Sequence, residues 1–516
     1  MSLLRGIATI GVWTMTSRVL GFARDVMMAA LLGAGAMADA FFVAFQFPNL
    51  FRRLFAEGAF NAAFVPLFAG ALQAKGRDAA RDFAGQALAV MIAVLLPMTV
   101  LIEIAMPYLM VAIAPGFTGE PEKFALAVQF TRICFPYLMF MALVSMLGAA
   151  LNAIDRFAVA AAAPILLNII MIAALLGPVH WATTPGHALS WAVAAAGAAQ
   201  FLWLAQDAGR AGILPKLPRP RLTPDIRRLF KLMLPGIFGA SVIQLNQWIG
   251  TLLASLLPSG AISYLYYADR VNQLPLGVVG VAVGVALLPL LSRQLRAGNL
   301  DAARANQNRA IEFALLMTLP AAAALIAAPG AIISVLFERG AFGPSDAAAT
   351  ARTLAAYATG LPAFVLVKAL SPGFFAREDT RTPVIVGAAA VTVNIVLAVL
   401  LMGPLEQVGI ALAVAVASWV NAIGLGVILW QRGHLEPDRR LMRRTAMIVL
   451  ATAIMAAGLL LGQYLLMRPL AGGTVQRIAA LVALVGGGLA IYGLACHVLG
   501  AARLAELRQA LSRKPA

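Results

Sequence analysis

Ionisable side chains recur inside long apolar runs of this chain. Ser17, Gly21, Arg24 and Asp25 are spaced i, i+4, i+7 and i+8, which puts them on one face of a helix. Arg18 lies seven residues before Asp25 and can share that face. Asp39, Gln46, Asn49 and Arg53 follow at steps of seven, three and four, with Arg52 three residues after Asn49 and Glu57 four after Arg53. Ser263, Tyr266, Tyr267, Arg270 and Gln273 repeat the arrangement. A charge at membrane depth is costly, so it normally faces a partner or a watery cavity. The guanidinium fork matches phosphate oxygens two at a time. Three polar stripes, each with an arginine, therefore point to a cavity that traps an anion. Eight cations fall within the apolar runs (Arg18, Arg24, Arg52, Arg53, Arg132, Arg270, Arg352 and Lys368), against the anions Asp25, Asp39, Glu57 and Asp269. The competing reading makes Arg24–Asp25 and Arg53–Glu57 internal ion pairs that set helix packing. It leaves Arg18, Arg52 and Arg270 with too few acidic partners.

The elements that must carry these stripes follow from composition. Hydrophobic residues make up 61% of the 516 positions and charged residues 12%, with a mean hydropathy of +0.87. Soluble proteins carry about 45–50% apolar and about 25% charged residues. An ordinary soluble enzyme, a disordered chain and a coiled coil are excluded, and the alternation of a β-barrel is missing. What remains is an all-α polytopic membrane protein. Apolar runs predict fourteen spans: 5–32, 37–70, 83–114, 124–152, 157–177, 187–207, 225–257, 261–294, 306–336, 347–376, 382–403, 407–431, 442–467 and 475–501. The N-terminus reads as a retained first span, because its apolar stretch is broken by polar residues and no cleavage pattern closes it. Pro48, Pro66, Pro275 and Pro289 are expected to interrupt helices.

The net charge is +17. In a soluble protein that surplus would suggest nucleic acid; here it follows the loops. With a cytoplasmic N-terminus, 27 of the 39 Lys and Arg fall on cytoplasmic connections and end segments. Only Lys123, Arg339, Arg468 and Arg477 fall on the outer side. This bias places both termini inside, and no nucleic-acid partner is expected.

The polar stretch 208–224, AGRAGILPKLPRPRLTP, reads as a linker between halves. At an offset of 223, FVPLFAGALQAKG (64–76) resembles LLPLLSRQLRAGN (287–299) and Asn49 aligns with Asn272; at 226, Pro136 aligns with Pro362 and Asn168 with Asn394. The matches recur in order, as a six-helix repeat requires. The expected organisation is an N-lobe (1–209), a cytoplasmic linker (210–224), a C-lobe (225–433), two added helices (434–503) and a cytoplasmic tail (504–516). The stripes of helices 1, 2 and 8 would then line a cationic cavity between the halves.

Other chemistry is thin. No Walker A, HExxH or CxxC sequence occurs, the two cysteines lie in apolar runs, and the four histidines do not cluster with other ligand types. His180 and His187 read as residues of an outer loop. No catalytic residue, metal or cofactor is indicated.

SRVLGFARD (Ser17–Asp25) and DAFFVAFQFPNLFRRLFAEGAFNAAFVP (Asp39–Pro66) resemble the signature of the MviN/MurJ family of lipid II flippases. YYADR (Tyr266–Arg270) and APGF (Ala114–Phe117) also fit. These flippases belong to the multidrug/oligosaccharidyl-lipid/polysaccharide exporter superfamily. The resemblance implies two six-helix lobes around a central cavity, with helices 13 and 14 forming a groove for a polyprenyl tail. It implies a transporter, not an enzyme. The cargo would be lipid II, the undecaprenyl-diphosphate-linked peptidoglycan precursor, carried by alternating access to the outer leaflet of the bacterial inner membrane for cell-wall synthesis. It puts Arg18, Arg24, Arg52 and Arg270 at the diphosphate or at a gate, makes Asp39 an essential acidic residue and Glu57 a supporting one, and lines the cavity with Ser17, Asn49 and Ser263. Membrane lipids are implied partners, and the resemblance allows the cell-wall synthesis machinery. A sodium site of some members is not evident here: Gln244, Asn246, Thr392 and Asn394 lack an obvious carboxylate beside them. Three alternatives stay open at this point: a cation-coupled multidrug exporter, a flippase for another polyprenyl-diphosphate glycan, and a membrane scaffold with basic loops.

Overall fold

The computed structural model describes residues 3–52, 59–177 and 182–501. The described residues are almost entirely helical, because a backbone in hydrocarbon must satisfy its own hydrogen bonds. The chain divides into two compact units, Met1–Ser263 with Arg339–Phe342, and Tyr264–Glu338 with Gly343–Ala516.

The first unit holds α1 (Leu3–Leu32), α2 (Ala36–Arg52), α3 (Ala59–Ile113), α4 (Pro121–Cys134), α5 (Tyr137–Asn152), α6 (Ala158–Leu176), α7 (Pro185–Arg210) and α8 (Pro224–Ser255), and the first turn of α9 (Ala261–Arg296). Phe60, Phe64 and Phe68 recur every four residues along α3. Their rings stack at 5.1 and 5.6 Å, and Phe83 joins Phe64 at 5.4 Å. Leu147 of α5, Leu204 of α7, and Ile226, Leu229 and Met233 of α8 pack into the same core. Helix α8, which follows the linker, groups by contacts with the first compact unit, whose boundary falls after Ser263. The apolar face at its start is buried there.

The second unit holds the rest of α9, then α10 (Leu300–Ala327), α11 (Pro329–Phe337), α12 (Pro344–Ala358), α13 (Leu361–Phe375), α14 (Arg381–Gln431), α15 (Arg439–Leu465), α16 (Met467–Leu470) and α17 (Thr474–Leu499). Ile311, Leu370, Phe374, Leu425 and Leu429 form a core between α10, α13 and α14. Ionic contacts fix the start of α15 to α10. Glu312 is buried and takes Arg444 at 2.5 Å, Arg440 at 3.5 Å and Arg309. Asp438 caps α15 by accepting from Leu441 N–H at 2.6 Å and pairs with Arg309.

Among the described residues, nine helical runs are long and apolar enough to cross a membrane. Two of them, Ala63–Ile113 and Arg381–Gln431, have 51 residues. At about 1.5 Å per residue each exceeds twice the roughly 30 Å hydrocarbon thickness. Each is broken by one non-helical residue, Gly76 (φ 83°) and Glu406 (φ 50°), and so supplies two arms. The nine runs, two of them with two arms each, together with α1, α8 and α9 account for the fourteen expected crossings, α2 supplying the start of the second span. The proline expectation is corrected. Pro48, Pro66, Pro275 and Pro289 lie inside helices that run on through them. Breaks fall instead within the fourth and tenth spans, between α4 and α5 at Phe135–Pro136 and between α12 and α13 at Thr359–Gly360.

Candidate functional site

The sequence-predicted residues fall into two clusters in the first unit and one in the second. The first cluster forms where α2, α4 and α9 begin. Asp39 lies in the first turn of α2, where the helix dipole favours a carboxylate. Its side chain is buried, with 1% of its surface exposed. Asp39 Oδ1 accepts from Ser263 N–H at 2.9 Å and Ser263 Oγ–H at 2.6 Å; Oδ2 accepts from Gly260 N–H at 2.7 Å. These are the donors a helix start leaves unpaired, so Asp39 caps the first turn of α9.

Lys123 completes the cluster. Read from sequence as a cation of the outer loops and adjoining helix ends, it is buried, 2% exposed, in the first turn of α4. Its Nζ lies 3.1 Å from Asp39 Oδ2 and 4.4 Å from the centre of the Phe117 ring, and it donates to Ser259 Oγ at 2.8 Å. Ser259 donates in turn to Glu120 at 2.9 Å. A buried charge is tolerable only when paired and hydrogen-bonded, and this lysine is both. The signal in the sequence was its position: a cation at a helix start sits at the wrong end of the dipole and needs an acid.

The second cluster links α1 to α6. Arg24 is 5% exposed. Its Nη2 and Nε reach Asp25 Oδ1 at 2.7 and 3.1 Å, and Nη1 donates to Asn168 Oδ1 at 3.0 Å. The guanidinium stands 5.7 Å from the Phe45 ring centre. Asn168 Nδ2 donates to the Ser17 carbonyl at 3.0 Å and lies 3.4 Å from Ser17 Oγ. Gly21 faces the same carboxamide, and a Cβ there would lie 3.5 Å from it. The internal ion pair considered for Arg24–Asp25 is thus present. Asn168, noted in the sequence only as a repeat match, holds the arginine from the neighbouring helix. Arg18 is exposed on α1, and Asn49 donates to the Phe45 carbonyl at 2.8 Å. Arg52 ends α2, with its side chain outside the described residues; Arg53 and Glu57 also lie outside them.

The third cluster is on α9 in the second unit. Arg270 Nη2 donates to Tyr266 Oη one turn earlier at 2.9 Å, and its guanidinium lies 4.6 Å from the Tyr266 ring centre. Tyr267 is buried against Phe337, with ring centres 5.2 Å apart. Asp269 accepts from Gln273. YYADR therefore orients Arg270 by its own helix, with one tyrosine anchoring α9 and the other holding the guanidinium. His187, read as a loop residue, lies in the first turn of α7, with Nδ1 2.9 Å from Thr184 Oγ1 and Nε2 3.1 Å from Gln129 Oε1. His180 lies outside the described residues.

Comparison with known proteins covers nearly the whole chain. The family model described as "Lipid II flippase MurJ" matches residues 28–480. A protein of Rhizobium tropici named probable lipid II flippase MurJ is 46% identical over 525 residues, covering 100% of this chain and 97% of its own. The lipid II flippase MurJ of Burkholderia cenocepacia is 34% identical over 468 residues, covering 89% and 90%. Among solved structures, a lipid II flippase MurJ in an inward closed conformation superposes with a TM-score of 0.78 at 24% identity, covering 98% of this chain and 99% of that one. An inward-facing multidrug transporter of the MATE family gives 0.68 at 14% identity, covering 83% and 97%, a likeness of fold alone. Taken with the arginine stripes and the all-helical membrane fold, these matches make the chain a member of the MurJ lipid II flippase family.

Proposed function

We propose that this protein flips lipid II, an undecaprenyl-diphosphate-linked glycan, from the inner to the outer leaflet of the bacterial cytoplasmic membrane by alternating access. The observation that carries the reading is the near-full-length match to curated flippases. The arginines support it chemically, since guanidinium is the side chain suited to a diphosphate. In this reading Arg18, Arg24, Arg52 and Arg270 meet the diphosphate or gate its passage. Ser17, Asn49 and Ser263 support them, and Asp39 and Glu57 are the acidic residues that shape the site. Helices α15 and α17 take the polyprenyl tail. Both termini are cytoplasmic, in keeping with the lysine and arginine bias. Membrane lipids and the cell-wall synthesis machinery are its partners.

The inside-negative potential resets the empty carrier. One elementary charge moved through the field is worth roughly 2.3 kcal/mol per 100 mV. An arginine-rich site without substrate is drawn inwards; a bound diphosphate offsets the charge and eases the outward swing. The test is translocation of labelled lipid II across liposomes holding the purified protein. Wild type moves the label, Arg270→Ala does not, and collapsing the potential slows turnover without weakening binding. Wild-type protein that leaves the label on its original leaflet overturns the assignment. Turnover that ignores the potential and follows only a sodium or proton gradient overturns the energy source.

A further inference from the structure

A cavity of about 300 Å³ lies inside the first unit, among α3, α5, α6 and α7. It has the size at which ligand sites begin. None of the clustered arginines lines it.

The sequence builds this space deliberately. Along α5, Met141, Ser145, Gly148 and Asn152 recur at helical spacing and face it, and α6 answers with Ala160, Ala161 and Pro164. Small residues on both helices leave volume that larger ones would fill. The polar lining is uncharged: Asn61, Ser145, Asn152 and Gln200. Gln200 is 1% exposed; its Nε2 donates to the Ala163 carbonyl at 2.6 Å, and its Oε1 has no hydrogen-bond partner. A buried acceptor left unmade costs free energy, and this one belongs to a residue of the cavity wall. Asn152 and Pro164 are exposed at the cavity, which gives a ligand a way in. Phe157 adds a ring face beside Asn152.

We infer that this cavity is a second subsite, which receives an uncharged hydroxyl- or acetamido-bearing group: the sugar portion of a lipid-linked glycan. Carboxamides, a hydroxyl and an aromatic ring suit a sugar's donors and its apolar face. The absence of a lining arginine makes it unsuited to the diphosphate. The inference rests on the flippase reading above, and it divides recognition into a charged part, carried by the arginines, and a neutral part carried here.

Binding of lipid II and of undecaprenyl diphosphate, which lacks the glycan, tests it on the full-length protein. Wild type should prefer lipid II by about tenfold, the size expected from one or two extra hydrogen bonds. Gln200→Leu and the space-filling Ala161→Phe should each abolish that preference and leave affinity for undecaprenyl diphosphate unchanged. Variants that keep the preference overturn the subsite. A second measurement stands apart from flipping: alkylation of an Ala161→Cys variant, in which the native Cys134 and Cys496 are buried. A soluble disaccharide of N-acetylated sugars should slow labelling, and inorganic diphosphate should not. Protection by neither, or by diphosphate alone, refutes the subsite whether or not the protein proves to be a flippase.

Discussion

Lys123 Nζ and Asp39 Oδ2 lie 3.1 Å apart, with 2% and 1% of the two side chains exposed. Removing either partner leaves a buried charge uncompensated, at a cost of about 3–5 kcal/mol. Lys123→Met and Asp39→Asn should each lower the thermal midpoint in detergent markedly. The double variant should recover part of that loss, since a neutral pair leaves no lone charge. A double variant no better than the worse single one would show that the pair is not the unit of stability.

Arg24 contacts Asp25 through two nitrogens and Asn168 through a third. Lysine keeps the charge and loses this geometry. Arg24→Lys should reduce lipid II translocation by about tenfold or more, and Asn168→Leu should reduce it less, because the arginine keeps its carboxylate. Folded yield is followed by gel filtration. A lysine variant at the wild-type rate would mean that charge alone suffices.

Asp379 lies in the connection between α13 and α14. Hydrogen bonds from Thr382 Oγ1–H and N–H, then from Arg432, hold its carboxyl well below the ordinary range. A depressed carboxyl stabilises the fold at pH above its unfolded value, about 4, and that contribution is lost as pH falls through the folded value. Thermal midpoints of wild type should therefore fall on acidification below about pH 4 more steeply than those of Asp379→Asn. Parallel curves would exclude this group from the acid limb.

Phe64 sits in the middle of the α3 ring stack with no exposed surface. Phe64→Ala should cost about 3–5 kcal/mol, read as a lower thermal midpoint. Phe64→Leu should cost much less. Equal losses would assign the effect to the aromatic stacking rather than to the volume.

Much of this was legible in the sequence. Adjacent residues announced the Arg24–Asp25 pair, and the one-turn spacing within YYADR announced Tyr266 beside Arg270. Hydropathy located the spans because burial in lipid acts on runs of residues. The illegible parts depend on tertiary approach. Lys123 looked like an outer cation because nothing local shows that Asp39 and Ser259 approach it. Asn168 looked like a repeat echo because its partners lie 144 and 151 residues away. Helix α8 followed a linker that reads as a divide, yet its apolar face matches the phenylalanines of α3.

The cap on α9 also has a history in time. Asp39 is made 224 residues before Ser263, whose N–H and hydroxyl it accepts. At about 5–20 residues per second, the ribosome takes roughly 10–45 s to cover that gap. During synthesis, then, an acid destined for complete burial waits in a half-built bundle. Lys123, made 84 residues after Asp39, is the earlier partner to arrive. The partner that balances the charge of Asp39 is therefore synthesised before the helix whose first turn Asp39 caps.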